Sequence, residues 1–174
     1  FACEGRDHQS VMDFAADLKA HAGDPAQIEH VCQDMSAAYA KGVALALPNA
    51  QISYDRFHVI AMANEAMDGV RRQEMSTQPQ AIKEALGDND RKLLKSLAWG
   101  MRRNPGDWSA KQTNAMHWLQ RCTLKSARAW RLKMALRAVY ASAAAGNDRE
   151  HASKELKGWL SWARRSRLEP FRKL

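Results

Sequence analysis

Two acidic positions in the first third of the chain have the type and setting to do chemistry. In "HVCQDMSAAYAKG", Asp34 ends a short alternating run and precedes an Ala-rich helical segment. A carboxylate at a strand terminus is fixed in place by the strand yet stays solvated by the turn. That suits Mg²⁺, a hard ion that takes one or two carboxylates plus water and phosphate oxygens. The ordinary alternative is that Asp34 or Ser36 caps the helix beginning near Ala37, a contribution of about 1 kcal/mol. In "YDRFH", Asp55 and His58 stand three apart across a strand-to-helix junction and could reach one point. A lone Asp-x-x-His lacks the third and fourth ligands of a zinc site. Its plain alternative has Asp55 capping the next helix or pairing with Arg56 or Arg71, while His58 packs at a sheet edge. His8, His21, His30, His117 and His151 form no ligand spacing, and the sequence has no Gly-rich phosphate loop, nucleophile elbow or Cys–His pattern.

The elements that must position these acids alternate in type. Val11, Phe14, Ala15 and Leu18 recur at i, i+3, i+4 and i+7, which predicts a helix closed by Gly23 with Pro25 beyond it. "AQIEHVCQ" then sets Ile28, His30 and Cys32 against Glu29, Val31 and Gln33, a short strand ended by Asp34. "SAAYAKGVALAL" reads as a helix stopped at Pro48-Asn49, and "AQISYD" as a second strand ended by Asp55. "FACEGRD" reads as the end of an earlier strand, so the expected order is strand, helix, strand, helix, strand. Such alternation argues for an α/β sheet with crossover helices, in which ligand sites lie at strand carboxyl ends. From Phe57 onward the strand signals stop. Amphipathic helical segments follow, broken at Gln78-Pro79, Asn104-Pro105-Gly106 and Gly146-Asn147. The expected fold class is α/β plus all-α: a partial sheet with crossover helices over residues 1–75, then a helical module over residues 76–174.

Charge divides along the same line. Residues 1–78 hold 6 Lys and Arg against 11 Asp and Glu, whereas residues 79–174 hold 21 against 8. A basic block with interleaved aromatics points to a polyanion, while an acidic block can face phosphate only if bound divalent cation neutralises it. The candidate nucleic-acid contacts are Arg56, Arg71, Arg72, Arg102, Arg103, Arg128, Arg131, Arg164 and Arg165. Trp118, Trp130 and Trp159 fit a core; Trp99, Trp108 and Trp162 fit a surface. No apolar stretch reaches the roughly 18 residues of a bilayer crossing, and no basic-then-apolar leader opens the chain. Cys3, Cys32 and Cys122 match neither a disulfide framework nor a zinc knuckle. The expectation is a cytoplasmic protein with no membrane partner. Because the first residue is Phe1, the sequence reads as a piece of a longer polypeptide.

Taken in order, "EGRDHQSVMDFAADL", "QDMS..Y..G....PNA.I..DRFHV", "ANEAMDGVRRQE" and "WLSWARRSRLEPFRKL" resemble bacterial insertion-sequence transposases of the DDE class, in the group called insertion sequence L-three. The resemblance runs through essentially the whole chain, and the block from Gln33 to Val59 carries most of its specificity. It implies a ribonuclease H-like catalytic fold with a helical insertion before the last acid. It also implies two divalent ions, Mg²⁺ or Mn²⁺, held by an Asp, Asp, Glu triad that cuts and joins DNA at transposon ends and target by phosphoryl transfer. The second Asp of that triad carries over to Asp34, as catalytic residue and metal ligand, and the Asp-x-x-His beside the site to Asp55 and His58. The first Asp is expected before the opening strand and the Glu beyond Pro170, so that this piece alone would be inactive, and the intact enzyme is expected to be a homo-oligomer. The competing readings are a non-catalytic DNA-binding or oligomerisation module and a generic helical interaction domain.

Overall fold

The computed structural model describes residues 1–86, 91–146 and 148–174, which fall into two compact units, Phe1–Val59 and Ile60–Leu174. In the first, helix α1 (His8–Ala20) starts where the Asp7 carboxylate accepts the backbone N–H groups of Gln9 and Ser10. It stops as foreseen, with the work shared differently: Ala22 takes the left-handed conformation (φ 63°), and Gly23 supplies room, since a Cβ there would sit 2.4 Å from Leu18 Cδ1. Strand β1 (His30–Gln33), helix α2 (Ala37–Ala46) and strand β2 (Gln51–Tyr54) follow. The two strands pair in parallel, His30 opposite Gln51 through Gln33 opposite Tyr54, so α2 is the crossover between them.

One face of this sheet is covered. Val31 and Ile52, opposed across the pair, pack on the buried cluster of Ala15, Val43 and Leu47, joined by Val11, Ile28, Ala46 and Ala50. Gly42 lets α2 approach α1, because a Cβ there would meet the His8 carbonyl oxygen and Val11 Cβ at 2.8 Å. The other face, with His30, Cys32, Gln51 and Ser53, is exposed. The strand expected at "FACEGRD" does not form. Gly5 adopts a φ of 106° and Asp7 folds onto the start of α1, and both interrupt an extended run.

Helix α3 (Arg56–Thr77) leads into the second unit, which continues with α4 (Pro79–Leu86), α5 (Arg91–Arg102), α6 (Ala110–Arg121), α7 (Lys125–Ala144), α8 (Arg149–Arg165) and α9 (Glu169–Arg172). The breaks at Gln78-Pro79 and Asn104-Pro105-Gly106 lie where the sequence puts them; of the third, Gly146 has a φ of 87° and Asn147 lies outside the described residues. A further break separates α6 from α7 at Cys122–Leu124, in a stretch without Gly or Pro.

Buried charges hold these helix ends. Glu74, 3% exposed, accepts from Lys125 N at 2.6 Å, Ser126 N at 2.8 Å and Ser126 Oγ at 2.5 Å, so a carboxylate of α3 caps α7, whose own N-cap residue Leu124 cannot. Lys133 is fully buried and donates from Nζ to the carbonyl of Met101 at 2.6 Å, closing the C-terminus of α5. Around them pack Ala63, Met67, Leu97, Met101, Met116, Leu119, Leu132 and Leu136.

Glu74→Ala strands two buried donors of α7, and unfolding in urea is expected to lose about 2–4 kcal/mol at an unchanged m-value. Burial, with the nearby Arg137 second, pushes the Lys133 ammonium down from 10.5 to about 8. Between those values the unfolded chain holds a proton that the folded chain does not, so the Lys133 contribution to stability rises with pH across that window, by up to about 3 kcal/mol. Below about pH 8 the penalty is complete. The difference in stability between Lys133→Met and the parent should therefore shift towards the parent as pH rises from 8 to 10.5; a difference constant over that range would contradict the assignment.

Candidate functional site

Parallel pairing carries both acids to one end of the sheet. Asp55 N donates to the Gln33 carbonyl at 2.8 Å, extending the ladder by one step, and Asp34 and Asp55 are the first residues beyond the last paired positions. Neighbouring strands lie about 4.8 Å apart, so the two backbones leave the sheet side by side.

Their side chains are committed differently. Asp34 Oδ1 accepts from Ser36 N at 2.9 Å, and Ser36, not Asp34, is the N-cap of α2, its Oγ accepting from Tyr39 N at 3.4 Å. Asp34 is half-buried, and among the described residues its Oδ2 has no hydrogen-bond or ion-pair partner. Asp55 spends both oxygens: Oδ1 accepts from Phe57 N at 2.9 Å, starting α3, and Oδ2 lies 3.0 Å from His58 Nδ1. The Phe57 N–H first, and His58 second, hold the Asp55 carboxyl below the ordinary aspartate value. His58 is exposed, and Arg56 lies with its guanidinium carbon 5.1 Å from the centre of the Phe57 ring.

A metal reaching this end of the sheet would find one hard carboxylate oxygen on half-buried Asp34 not engaged by the chain, a donor type that suits Mg²⁺. Asp55 offers no free lone pair of comparable quality while His58 is bound to it. Among the described residues no group of three His, Cys, Asp or Glu side chains is arranged around one point.

In the helical unit several candidate arginines have protein partners. Asp68, 9% exposed, receives Arg71 Nε at 2.9 Å on Oδ1 and Arg102 at 2.7 Å on Oδ2, with Arg72 at 3.3 Å. Burial alone would raise the Asp68 pKa; the hydrogen bonds from Arg102 and Arg71 overcome it and the net shift is downward. Arg71 is nearly enclosed, whereas Arg72 and Arg102 keep exposed surface. Arg128 is half-buried with its Nε unpartnered, Arg131 donates to the Gln120 carbonyl, and Arg103, Arg164 and Arg165 are exposed. Trp130 and Trp159 are buried and Trp99 and Trp162 exposed, as expected; Trp118 is only half-buried, and Trp108 is turned inward, its Nε1 donating to the Gly100 carbonyl at 2.8 Å.

The sequence reading passed over two features. Asp68 with Arg71 and Arg72 at i+3 and i+4 is a helical ion-pair spacing that would have marked these arginines as partnered. Gln33, next to Asp34, has a buried amide with neither Nε2 nor Oε1 bonded, and no sequence signal announces that.

Residues 1–174, the whole chain, match a family described as a transposase. Over 186 aligned positions the chain is 29% identical to the transposase for insertion sequence element IS1557 of Mycobacterium tuberculosis strain CDC 1551 / Oshkosh, and equally to that of strain ATCC 25618 / H37Rv. Each alignment covers 98% of this chain and 40% of the relative, so the chain spans about two-fifths of the length of the curated relatives it matches. No solved structure matches.

The Asp55 assignment has a measurable signature. Its carboxyl carbon should titrate below ordinary aspartate in NMR, and His58→Ala should raise that value only part of the way, since the Phe57 N–H remains. Because the folded value is depressed, the stabilisation from Asp55 is complete above the ordinary aspartate range and lost as pH falls through the lower folded value. Full restoration by His58→Ala would show that the backbone contact is not the leading cause.

Proposed function

The chain belongs to the DDE transposases of the insertion sequence L-three group, and from that premise we propose that it contributes a catalytic carboxylate and a DNA-holding helical region to an enzyme that cuts and rejoins DNA at the ends of an insertion sequence. The observation that carries this reading is Asp34: it stands at the carboxyl end of paired parallel strands, with one oxygen fixed by Ser36 N and the other open. The family works with divalent metal. When bound, such ions polarise the scissile phosphate and lower the pKa of the attacking water, and two of them, Mg²⁺ or Mn²⁺, serve the intact enzyme. Asp34 is the residue of this chain that would hold metal. Asp55 and His58 keep the adjoining strand end and the start of α3 in place beside it.

The two strands belong, in this reading, to a larger ribonuclease H-like sheet. All-parallel pairs are covered on both faces in most folds, and here His30, Cys32, Gln51 and Ser53 present an open face that other parts of the intact protein would cover. Residues 1–75 then serve catalysis and residues 76–174 form the helical insertion. Exposed cations, Arg56, Arg72, Arg102, Arg103, Arg131, Arg164 and Arg165, hold DNA backbone; Arg71 is tied to Asp68 and serves the fold, and half-buried Arg128 contributes at most its outer edge. Each phosphate neutralised on duplex DNA lowers the logarithm of affinity by about 0.9 per tenfold rise in salt. The partners are transposon-end and target DNA and further copies of the enzyme.

Asp34→Asn separates chemistry from folding, since an amide oxygen can still accept the Ser36 N–H while the charge is gone. In the full-length transposase this variant should lose strand cleavage and joining by more than about a hundred-fold while binding transposon ends as the parent does. Retained cleavage in Mg²⁺ would remove Asp34 from the catalytic set.

A further inference from the structure

The outward face of α5 is a cationic stripe with a bare indole at its centre. At about 100° and 1.5 Å per residue, Lys92, Lys95, Trp99, Arg102 and Arg103 fall within an arc of about 100° and about 16 Å of helix length. All five are exposed, Trp99 by 49%. The helix contains no acidic residue. Arg102 is drawn to Asp68, whereas among the described residues neither Lys95 nor Arg103 has an ion-pair partner and the Trp99 ring has no hydrogen-bond or ring contact.

This exposure contrasts with the treatment of the two indoles that donate to backbone carbonyls, while Trp162 is also exposed, though less so at 37%. Trp108 donates to the Gly100 carbonyl and lies 6.1 Å from Trp130, and Trp159 donates to the Leu132 carbonyl at 2.8 Å from a buried position. The back of α5 is held firmly. Leu97 and Met101 are buried, Gly100 sits so close to Met116 that a Cβ would lie 2.8 Å from its Cγ, and Lys133 binds the terminal carbonyls. The stripe is therefore displayed on a rigid element.

We propose that Trp99 stacks on an unpaired base of a DNA strand while Lys92, Lys95 and Arg103 hold the phosphates on either side of it. The inference rests on the DNA reading above and narrows it: the cations of this face hold phosphates of any DNA strand, and Trp99 adds a contact that only an unpaired base can accept. Within a duplex each base is already stacked on both sides, so an exposed indole gains a partner only at a flap, tail or gap. A π-face beside cations on a helix that itself carries no acid matches a nucleotide, which offers a flat ring and an anion in alternation. A purely phosphate-binding surface would have no use for the indole, and a hydrophobic protein contact would not be ringed by like charges.

The test measures fluorescence anisotropy of the whole chain with a labelled duplex and with the same duplex carrying a short unpaired tail. The parent should prefer the tailed DNA. Trp99→Ala should weaken tailed binding about ten-fold, leave duplex binding within about two-fold and leave the melting temperature unchanged, while Trp99→Phe keeps most of the preference. Lys95→Gln with Arg103→Gln should weaken both and reduce the salt slope by about one per residue. If the parent binds DNA but Trp99→Ala affects both DNAs equally, or neither, this proposal fails and the functional reading stands. If the parent shows no salt-dependent DNA affinity at all, both fail.

Discussion

The parallel pairing of β1 with β2 is the constraint from which the candidate site follows. Parallel neighbours cannot be joined by a tight turn; the chain has to travel back along the sheet before it can start the second strand in the same direction. Here α2 makes that return, and its Gly42 permits the close packing against α1 that seals the apolar face. The seal is small: Ala15, Val43 and Leu47 are buried, and burying each larger aliphatic side chain contributes about 1.5–3 kcal/mol. Because both strands run the same way, the residues that terminate them leave from the same end. Two acids at equivalent positions thereby become neighbours without either strand bending.

In the helical unit the equivalent role falls to charges placed inside the fold. A helix exposes unsatisfied N–H groups at one end and carbonyls at the other, and burial makes both costly. Glu74 meets the first need at α7 and Lys133 the second at α5, each from a helix remote in sequence. Asp68 gathers Arg71, Arg72 and Arg102 in the same way. The basic surplus of the helical unit is thus not all available to a polyanion, since Lys133 and Arg71 are largely consumed by packing. What remains outward, notably Lys95 and Arg103 around Trp99, is a smaller and better-defined set than the composition suggests.

Much of the sheet was legible because its signals are local. Alternation in "AQISYD", the Ala-rich run before it and Pro48 as its stop all act within a few residues, and α2 and β2 appear where they point. Strand β1 is shorter than the run "AQIEHVCQ", since Pro25–Gln27 form a 3-10 turn, the strand holds only His30–Gln33, and Ile28 joins the core beside Val31 instead of lying with His30 and Cys32. The opening strand failed for an equally local reason that was underweighted, a glycine free to take positive φ followed by an aspartate suited to capping. The division of α6 from α7 could not be read, because what stabilises the start of α7 is Glu74, 51 residues away. Trp108 was expected at a surface, whereas the Gly100 carbonyl that receives its N–H is visible only once α5 is folded. "RR" at 71 and 72 looked like a phosphate contact because Asp68, one helical turn earlier, was not weighed against the run of charge.

The contrast between Asp34 and Asp55 bears most directly on function. Both were equally plausible as caps from the sequence, and a carboxylate that caps a helix has its acceptor capacity used by its own chain. Asp55 does this twice over, with Phe57 N and His58, and its depressed pKa records how well the negative charge is already satisfied. Asp34 is relieved of the task by Ser36, whose hydroxyl reaches Tyr39 N, so that the aspartate is oriented by one backbone N–H while its second oxygen stays unspent. Polar groups that are half-buried and incompletely paired cost stability, and a serine two residues on would have been sufficient to start α2. An acid that is positioned but not consumed makes structural sense if something outside the chain completes it, and the divalent cation proposed above would be a group of that kind, since a hard carboxylate oxygen suits it.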